Sequence, residues 1–317
     1  MLDNPKVSIV IPVYNGANFL QKSIDCALSQ TYENCEVIVV NDGSTDDGAT
    51  DRIARSYGDR IIYLEKENGG VSSAMNLGIQ SMSGDYFSWL SHDDEYTSTK
   101  VADSIAALQK CGCADGSAIA YTGHYQINKD SEYLKTYADG FEPERFYTSD
   151  EMVRYALGHQ TLNGCCMLIP AAPLKATGGF DEQLRYAQDA LMWFRLFHSG
   201  VGLVFDGKVN VSYRLHASQT SRTRYDLFDR DLTYIAREFS LALFVSPEGA
   251  ETMFLYAKRI SRYGVRNAVN IIERTAKDTG YPFSFGKRMQ LNVRLFFSRF
   301  RSVIKSIYYR LFLKAKV

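Results

Sequence analysis

The chain has few of the features that mark disulfide-rich proteins, zinc sites or membrane spans. Its 317 residues include six cysteines, but no two of them have the C-x-x-C spacing. No basic-then-apolar segment opens the sequence, and it contains no apolar run of the roughly eighteen residues that a spanning helix needs. These absences argue against a secreted disulfide scaffold and a membrane-spanning helix. We therefore expect a reduced, cytosolic setting.

Acidic side chains are missing from the last part of the chain. Residues 281–317 contain nine Lys or Arg and no Asp or Glu. Since the whole chain is neutral, residues 1–280 carry an excess of nine acidic side chains. An acidic body with a basic tail suggests that the tail meets an anionic surface.

From residue 286 onward, the sequence predicts a basic amphipathic helix. One face of it carries Val293, Phe296, Phe297, Phe300, Val303, Ile304, Ile307, Tyr308 and Leu311, and other faces carry Arg294, Arg301 and Lys305. Such a helix fits the surface of an anionic membrane, so residues 286–317 are predicted to hold the protein on the inner face of the cell membrane, in the cytoplasm. A helix packed on the rest of the chain or on a partner subunit is the alternative. Self-association stays open, and no nucleic-acid partner is expected.

Runs of β-branched and aromatic residues alternate with helical patterns over the first part of the chain. Strands are predicted at residues 7–12, 36–43, 61–64 and 86–90, and those at 36–43 and 86–90 are expected to be buried. Helices are predicted at residues 18–30, 46–57 and 71–82. This alternation predicts an α/β fold with a parallel sheet and right-handed crossovers. Three of the strands end in polar residues, which should meet at the sheet edge where such folds bind ligands.

The pattern is less regular beyond residue 97. A helix to about residue 110 is followed by predicted strands at 118–121 and 165–169, an irregular aromatic stretch at 125–147 and a helix at 189–198. After residue 222 the pattern is helical throughout. We therefore predict two parts, 1–222 and 223–317.

The strand at 86–90 runs into His92, Asp93, Asp94 and Glu95. Three adjacent carboxylates at a strand end repel one another unless a cation or several donors offset them. A divalent metal is the simplest such cation, because it takes carboxylate oxygens and holds substrate phosphates as well. The alternative is a solvated acidic loop ahead of a helix.

Two loops near the same edge carry further candidates. Asp42, directly after the second strand, is placed to accept an N–H from a flat heterocycle such as uracil stacked near Tyr14, although an Asx turn also explains it. The loop 68–70 precedes a helix and could present backbone N–H groups to an anion. No G-x-G-x-x-G motif is present, which disfavours a dinucleotide-binding fold.

Later in the chain, Asp189 opens a largely apolar helix that also carries Trp193. In a cleft such a carboxylate can act as a general base, although acidic residues are common in first turns for dipole reasons alone. The segment Tyr213–His216 adds Arg214 and His216 as candidates.

Seven motifs follow one another in order. They are VSIVIPVYN at 7–15, VNDGSTD at 40–46, NGG at 68–70, AMNLG at 74–78, HDD at 92–94, GGFD at 178–181 and QD at 188–189. This series resembles the family 2 glycosyltransferases, which are inverting enzymes of the GT-A fold that use nucleotide-activated sugars and a divalent metal. The resemblance covers residues 6 to about 222. It implies a mixed, mostly parallel sheet flanked by helices, with a C-terminal helical extension.

The resemblance also implies roles for individual positions. Those implied to bind the nucleotide sugar are Pro12, Val13, Tyr14, Asn15, Asp42, Asn68, Gly70, Asn76, His92 and Asp94. Asp93 is implied to bind Mn²⁺ or Mg²⁺, with His216 completing the metal shell, and Asp189 is implied to be the catalytic base. The implied reaction transfers a hexosyl or N-acetylhexosaminyl group from a nucleotide diphosphate sugar, with a UDP-sugar as the favoured donor. The implied acceptor is a glycan or lipid-linked glycan in bacterial surface polysaccharide synthesis.

Three positions depart from the family pattern. Ser91 stands where the first Asp of D-x-D is usual, Met75 where Arg is common and Gln188 where Glu is common. Metal binding is therefore expected to rest on Asp93 together with the donor diphosphate. Because of Ser91, a catalytically degenerate module that only binds nucleotide sugars is an alternative that stays open. A sugar nucleotidyltransferase is a further alternative, but it should carry a Gly-rich basic loop after the first strand, and residues 12–18 contain no cation.

Overall fold

The computed structural model describes residues 4–159, 162–216, 219 and 227–308, and for 299–308 the backbone alone. The chain begins with β1 (Val7–Val13), α1 (Leu20–Leu28), β2 (Cys35–Asn41), α2 (Ala49–Arg55), β3 (Ile62–Glu65), α3 (Val71–Ser81), β4 (Tyr86–Trp89), β5 (Glu95–Tyr96) and α4 (Lys100–Lys110). It continues with β6 (Ala118–Asn128), β7 (Tyr133–Tyr137), β8 (Phe146–Tyr147), α5 (Ser149–Gly158), β9 (Met167–Pro170), α6 (Ala171–Ala176), α7 (Gln188–His198) and β10 (Gly202–Leu215).

These strands form one mixed sheet. Its order is β3-β2-β1-β4-β9-β6-β10-β5, with β7 beside β6 and β8 beside β10. β3, β2, β1 and β4 run parallel, as do β6 and β10, whereas β9 is antiparallel to both β4 and β6. The carboxyl ends of β1, β2 and β4 therefore meet at one edge. The predicted α/β class, with a mixed sheet flanked by helices and helices at the C-terminal end, is confirmed.

Strand β1 is buried along its whole length, as its run of apolar residues predicts. It pairs with β2 over all seven residues but with β4 only as far as Val10. On the β4 side, the carbonyl of Val10 accepts a hydrogen bond from the backbone N–H of Leu90. The backbone groups of alternate residues point to the same side of a strand, so those of Pro12 also point to the β4 side, but beyond the end of β4. Its missing N–H therefore costs no ladder bond, and its carbonyl is left for a side chain of the site.

The stretch at 125–147 is more regular than predicted. β6 runs on to Asn128 and forms a hairpin with β7, and β8 pairs with β10. Strand β10 was not predicted at all. Its register shifts between Phe205 and Val211, around Asp206, Gly207 and Lys208, and this irregularity interrupts the alternation of apolar and polar residues that marks a strand.

The described residues fall into two units. The first unit comprises Met1–Val153 and Leu162–Thr223, and the second comprises Arg154–Thr161 and Arg224–Val317. The predicted division at residue 222 stays a prediction about domain organisation. The second unit contains α8 (Phe228–Leu243), α9 (Pro247–Ser261), α10 (Arg266–Asp278) and α11 (Phe285–Tyr308). In the described part of the chain, every helix is too short or too polar to cross a bilayer.

Glu36 joins three segments at the amino ends of the parallel strands. Its carboxylate accepts from Ser8 on β1 at 2.5 Å and from the backbone N–H and hydroxyl of Ser83 ahead of β4 at 2.7 Å each. Lys6 forms an ion pair with it at 2.7 Å. Burial raises the pKa of this carboxyl, but the bonds from Lys6, Ser8 and Ser83 outweigh that effect and lower the pKa to about 2. Glu36 is therefore a charged clamp between β1, β2 and β4.

We predict that Glu36→Gln lowers the free energy of unfolding by about 1.5–3 kcal/mol near neutral pH, because hydrogen bonds to a charged acceptor are lost. Since the folded pKa lies below the unfolded one, the stabilisation is present above the unfolded pKa and is lost as the pH falls towards 2. Urea unfolding at neutral and at acid pH should show that wild type and variant differ less in free energy of unfolding at acid pH. The exposed Glu33, changed to Gln, is the matched control. A gap that is the same at both pH values would contradict the clamp.

Candidate active site

The loops after β1 and β2 are tied together by Asn15. Its side-chain oxygen accepts from the backbone N–H of Thr45 at 2.7 Å, and its own backbone N–H donates to the hydroxyl of Ser44 at 2.9 Å. Asn15 has a φ of 50°, a left-handed conformation that asparagine tolerates better than most residues. The neighbouring Tyr14 is 46% exposed, so its ring is open to a ligand.

Asp42 holds the loop 68–70 against the end of β2. One carboxylate oxygen accepts from the backbone N–H of Gly69 at 2.9 Å, and the other accepts from that of Gly70 at 2.7 Å. Lys66 pairs with the same carboxylate at 2.8 Å, and the side chain of Asn68 donates to the Asp42 carbonyl. The predicted contact between Asp42 and the nucleotide base stays a prediction. Three N–H donors bond to this carboxylate, which has four lone pairs and is 5% exposed.

A cation that the sequence did not single out lies at the same loop. Arg185 donates to the carbonyl of Gly69, and a Cβ added at Gly70, where φ is +87°, would lie 2.1 Å from the Arg185 guanidinium. Met75, one of the three departures from the family pattern, is fully buried. A positive charge therefore reaches this loop from a segment more than a hundred residues later, which no local motif could indicate.

Asn76 fastens the turn that leads to α7. Its side-chain oxygen accepts from the backbone N–H of Phe180 at 2.8 Å, and its side-chain nitrogen donates to the Phe180 carbonyl and to Glu182, both at 2.9 Å. Its side-chain amide thus makes three hydrogen bonds, to two residues. The predicted contact between Asn76 and the nucleotide sugar stays a prediction beside this structural role.

Asp93 and His216 lie together at the ends of β4 and β10. A carboxylate oxygen of Asp93 is 2.8 Å from His216 Nε2, and both side chains are 13% exposed. The imidazole also packs on the ring of Phe19, at 5.4 Å between centroids. The structure therefore brings together the two residues that the sequence assigned to a metal, although 123 positions separate them.

Asp94, by contrast, is 1% exposed and turned inward. Its carboxylate accepts from the backbone N–H of Arg214 at 2.9 Å and from the Cys165 thiol at 3.2 Å. Burial raises the pKa of Asp94 well above its ordinary range, and the neighbouring Asp93 adds to this effect. Asp94 thus joins the end of β4 to β10. Its predicted contact with the donor sugar stays a prediction.

The charge of the acidic segment is offset mainly by Arg214, whose side chain is 2% exposed. Its guanidinium pairs with Glu95 and donates to the Asp93 carbonyl at 2.9 Å. Lys22 pairs with Glu95 as well, at 2.8 Å. Glu95 is therefore offset by two cations, Arg214 and Lys22. The sequence had named Arg214 as a candidate without this role.

His92 connects the same segment to β1. Its imidazole forms a hydrogen bond to the carbonyl of Pro12, the group that faces beyond the end of β4. A Cβ added at Gly16 would lie 2.4 Å from the His92 ring. Burial lowers the pKa of His92, which favours the neutral ring, while Asp93 opposes the shift. Only glycine fits beside the ring at residue 16. Val13, also assigned to the nucleotide sugar, is buried in β1.

Asp189 stands in the first turn of α7, where its carboxylate accepts from the backbone N–H of Ala190 at 2.8 Å. An aromatic cluster packs below this turn. Trp89 and Trp193 each meet Phe180 edge to face, at centroid distances of 5.8 and 6.0 Å. This packing fixes the start of α7 relative to the end of β4. The predicted role of Asp189 as the base stays a prediction.

No group of three His, Cys, Asp or Glu side chains among the described residues is placed to hold a metal ion. Asp93 and His216 supply two ligand atoms at a partly exposed strand end. Mg²⁺ and similar cations are often held by one or two protein ligands, with substrate phosphates and water completing the shell. The residues present therefore fit a metal that is shared with a diphosphate, and they do not form a closed cage.

Comparison with known proteins gives consistent matches. The family model described as Glycosyl transferase family 2 matches residues 8–178. An uncharacterized glycosyltransferase of Rickettsia prowazekii is 45% identical over 222 residues, which cover 69% of this chain and 67% of the relative. A chondroitin synthase of Pasteurella multocida is 30% identical over 226 residues, which cover 70% of this chain but 22% of the synthase.

Solved structures share the fold. TarS of S. aureus, residues 1–349 in complex with UDP, superposes with a TM-score of 0.69 at 16% identity, covering 96% of this chain and 91% of TarS. The mannosyltransferase PcManGT of Pyrobaculum calidifontis, in complex with GDP-Man and Mn²⁺, gives a TM-score of 0.57 at 17% identity, covering 92% of this chain and 80% of that one. At these identities the likeness concerns the fold alone, and it supports the fold type that the motifs implied.

We predict that Asp42→Asn lowers the free energy of unfolding by about 1–3 kcal/mol, because the amide nitrogen faces backbone N–H groups that lose their acceptor. Loop 68–70 should also become more sensitive to limited proteolysis. Asp47→Asn is the matched control, because Asp47 is exposed and, like Asp42, is followed by glycine. Its φ of 52° is a conformation that asparagine tolerates as aspartate does. Equal stability and equal cleavage in the two variants would contradict the role given to Asp42.

Proposed function

Because the chain belongs to glycosyl transferase family 2, we propose that it moves a sugar from a nucleotide diphosphate sugar to an acceptor hydroxyl and inverts the anomeric carbon. The observation that carries this proposal is the Asp93–His216 pair, which lies at the sheet edge where His92 meets the end of β1. A carboxylate, an imidazole and an exposed aromatic ring at one edge suit a ligand with a base, a diphosphate and a sugar.

The nucleotide is proposed to bind over the ends of β1 and β2. Tyr14 offers an exposed ring for stacking, and the Asp42 carboxylate can accept the one N–H of a uracil ring. Asn68 and Gly70 belong to the loop that Asp42 positions. UDP is the nucleotide in the TarS complex, which favours a UDP-sugar as the donor.

The diphosphate is proposed to lie at Asp93 and His216. These two side chains would hold Mn²⁺ or Mg²⁺ together with phosphate oxygens, and the PcManGT complex contains Mn²⁺. A bound divalent cation supplies positive charge that offsets the negative charge growing on the leaving group. Asp94 and Arg214 hold the backbone of the segment, with Asp94 buried and Asp93 partly exposed beside His216.

Asp189 is proposed to remove the proton from the acceptor hydroxyl. The acceptor oxygen then forms a bond to the anomeric carbon on the face opposite the diphosphate, as the bond to that diphosphate breaks. The proton passes to the Asp189 carboxylate, and the nucleoside diphosphate leaves with the electron pair. The aromatic cluster around Phe180 keeps this carboxylate at a fixed place relative to the end of β4.

The acceptor is proposed to be a glycan or lipid-linked glycan of bacterial surface polysaccharide. The chondroitin synthase relative supports this class, although this chain covers 22% of it. An anionic membrane surface is proposed as a partner of residues 286–317, with the protein on its cytoplasmic side. Residues 309–317 of this segment lie outside the described part of the chain, as do the side chains of 299–308.

We predict that Asp189→Asn lowers kcat by roughly 10²- to 10⁴-fold, because the general base is removed. The variant should bind UDP with Mn²⁺ as the wild type does, which a thermal-shift assay measures. The exposed Asp59, changed to Asn, is the control and should leave turnover unchanged. Near-normal turnover of the Asp189 variant would mean that another group is the base.

We predict that Asp93→Asn removes the metal dependence of donor binding. Wild type should show a clear rise in melting temperature with UDP and Mn²⁺ together and a small one with either alone, since the proposed metal shell includes the diphosphate. In the variant the joint rise should fall to the level of UDP alone. A variant that keeps the full joint rise, or a wild type whose rise survives chelation, would contradict the site.

A further inference from the structure

The second unit contains a groove of about 790 Å³ between α9 and α11. Its lining includes the basic side chains Lys258, Arg262 and Arg294 and the apolar side chains Met289, Val293 and Phe297. Two of the basic residues come from α9 and its C-cap, which lie outside the tail that the sequence singled out. The groove is thus a separate feature built by two helices.

The three basic side chains have no acidic counterpart in the groove. Within the described residues, Lys258, Arg262 and Arg294 form no ion pair, and the groove lining contains no Asp or Glu. Other cations of the same helices are engaged, since Lys287 pairs with Glu251 and Arg259 donates to the carbonyl of Ala156. Three like charges that share one groove repel one another, so an anion bound among them is favoured.

The apolar part of the groove is exposed to an unusual degree. Met289, Val293 and Phe297 are 54%, 47% and 54% exposed, and their spacing of four residues places them in one row along α11. Leu291 and Leu295, on another side of the helix, are buried and attach it to its unit. The exposed row is therefore not needed for that packing, and it extends the basic end of the groove with an apolar strip.

We propose that this groove binds an anionic phospholipid, with the headgroup phosphate at Lys258, Arg262 and Arg294. One acyl chain would lie along Met289, Val293 and Phe297. A ligand with a compact negative charge at one end and a hydrocarbon chain at the other matches the lining on both counts. This inference deepens the membrane partner proposed above and does not depend on the transferase chemistry.

A second copy of the chain is a poorer occupant. Residues 281–317 carry nine basic and no acidic side chains, so two such surfaces placed face to face would bring like charges together. Helix α11 continues to Tyr308, and its sequence beyond the groove stays basic with Arg299, Arg301 and Lys305. The charge that surrounds the groove therefore favours an extended anionic surface.

The test is co-sedimentation of the full chain with vesicles of phosphatidylcholine, alone or with an equal amount of phosphatidylglycerol. Wild type should bind only the mixed vesicles. The pair Arg262→Gln with Arg294→Gln should weaken that binding roughly 30-fold, from about 1 kcal/mol for each basic residue at an anionic surface. The lysine pair Arg262→Lys with Arg294→Lys should retain binding, and Val293→Ser with Phe297→Ser should weaken it.

The matched control is Arg266→Gln with Lys277→Gln, which removes the same charge from exposed positions of α10 outside the groove. Equal losses in the groove and control pairs would overturn the proposal. So would vesicle binding that disappears on deleting residues 299–317 but survives in the groove pair.

Displacement from vesicles by inorganic phosphate at constant ionic strength would mean a free-phosphate site. Self-association that the groove pair abolishes would mean a second copy, and either result contradicts a lipid site. Sugar transfer is not the readout, so failure of the transferase assignment would leave these results unchanged.

Discussion

The buried guanidinium of Arg214 is the interaction on which the candidate site depends. A charge that is 2% exposed costs several kcal/mol unless every donor finds a partner. Each of the three guanidinium nitrogens of Arg214 has a partner, among them Glu95, the carbonyls of Asp93 and Asn128, and further oxygens of the β6–β7 turn. Its backbone N–H also holds Asp94. One residue of β10 therefore holds the carboxylates of Asp94 and Glu95 and the backbone carbonyl of Asp93.

This arrangement changes what the acidic segment can do. With Asp94 buried and Glu95 paired to cations, Asp93 is the carboxylate that remains beside His216 at the sheet edge. A site with so few protein ligands binds a metal weakly by itself, and the proposed diphosphate would supply the missing oxygens. Metal and donor binding would then be coupled, so that neither is tight until both are present. Ser91, which contacts Cys165, fits this account because its side chain is used within the protein.

Much of the fold could be predicted from local sequence. The strands of the first ninety residues, the helices between them and the polar strand ends follow from short-range patterns that the chain obeys, although β3 is half-exposed rather than buried. The parts that were missed depend on contacts between distant residues. Strand β10 is interrupted by an irregularity at Gly207, and the cation at loop 68–70 comes from Arg185. No pattern of apolar and polar residues encodes that Arg214 lies against Asp94, 120 positions away.

The most direct test of the central claim is the stereochemistry of slow donor hydrolysis, followed by NMR. With Mn²⁺ present and water in place of the acceptor, a panel of α-linked UDP-sugars should include at least one that releases UDP. The β-anomer of the free sugar should then appear first, before mutarotation, since inversion is proposed. Release of the α-anomer first would contradict the mechanism.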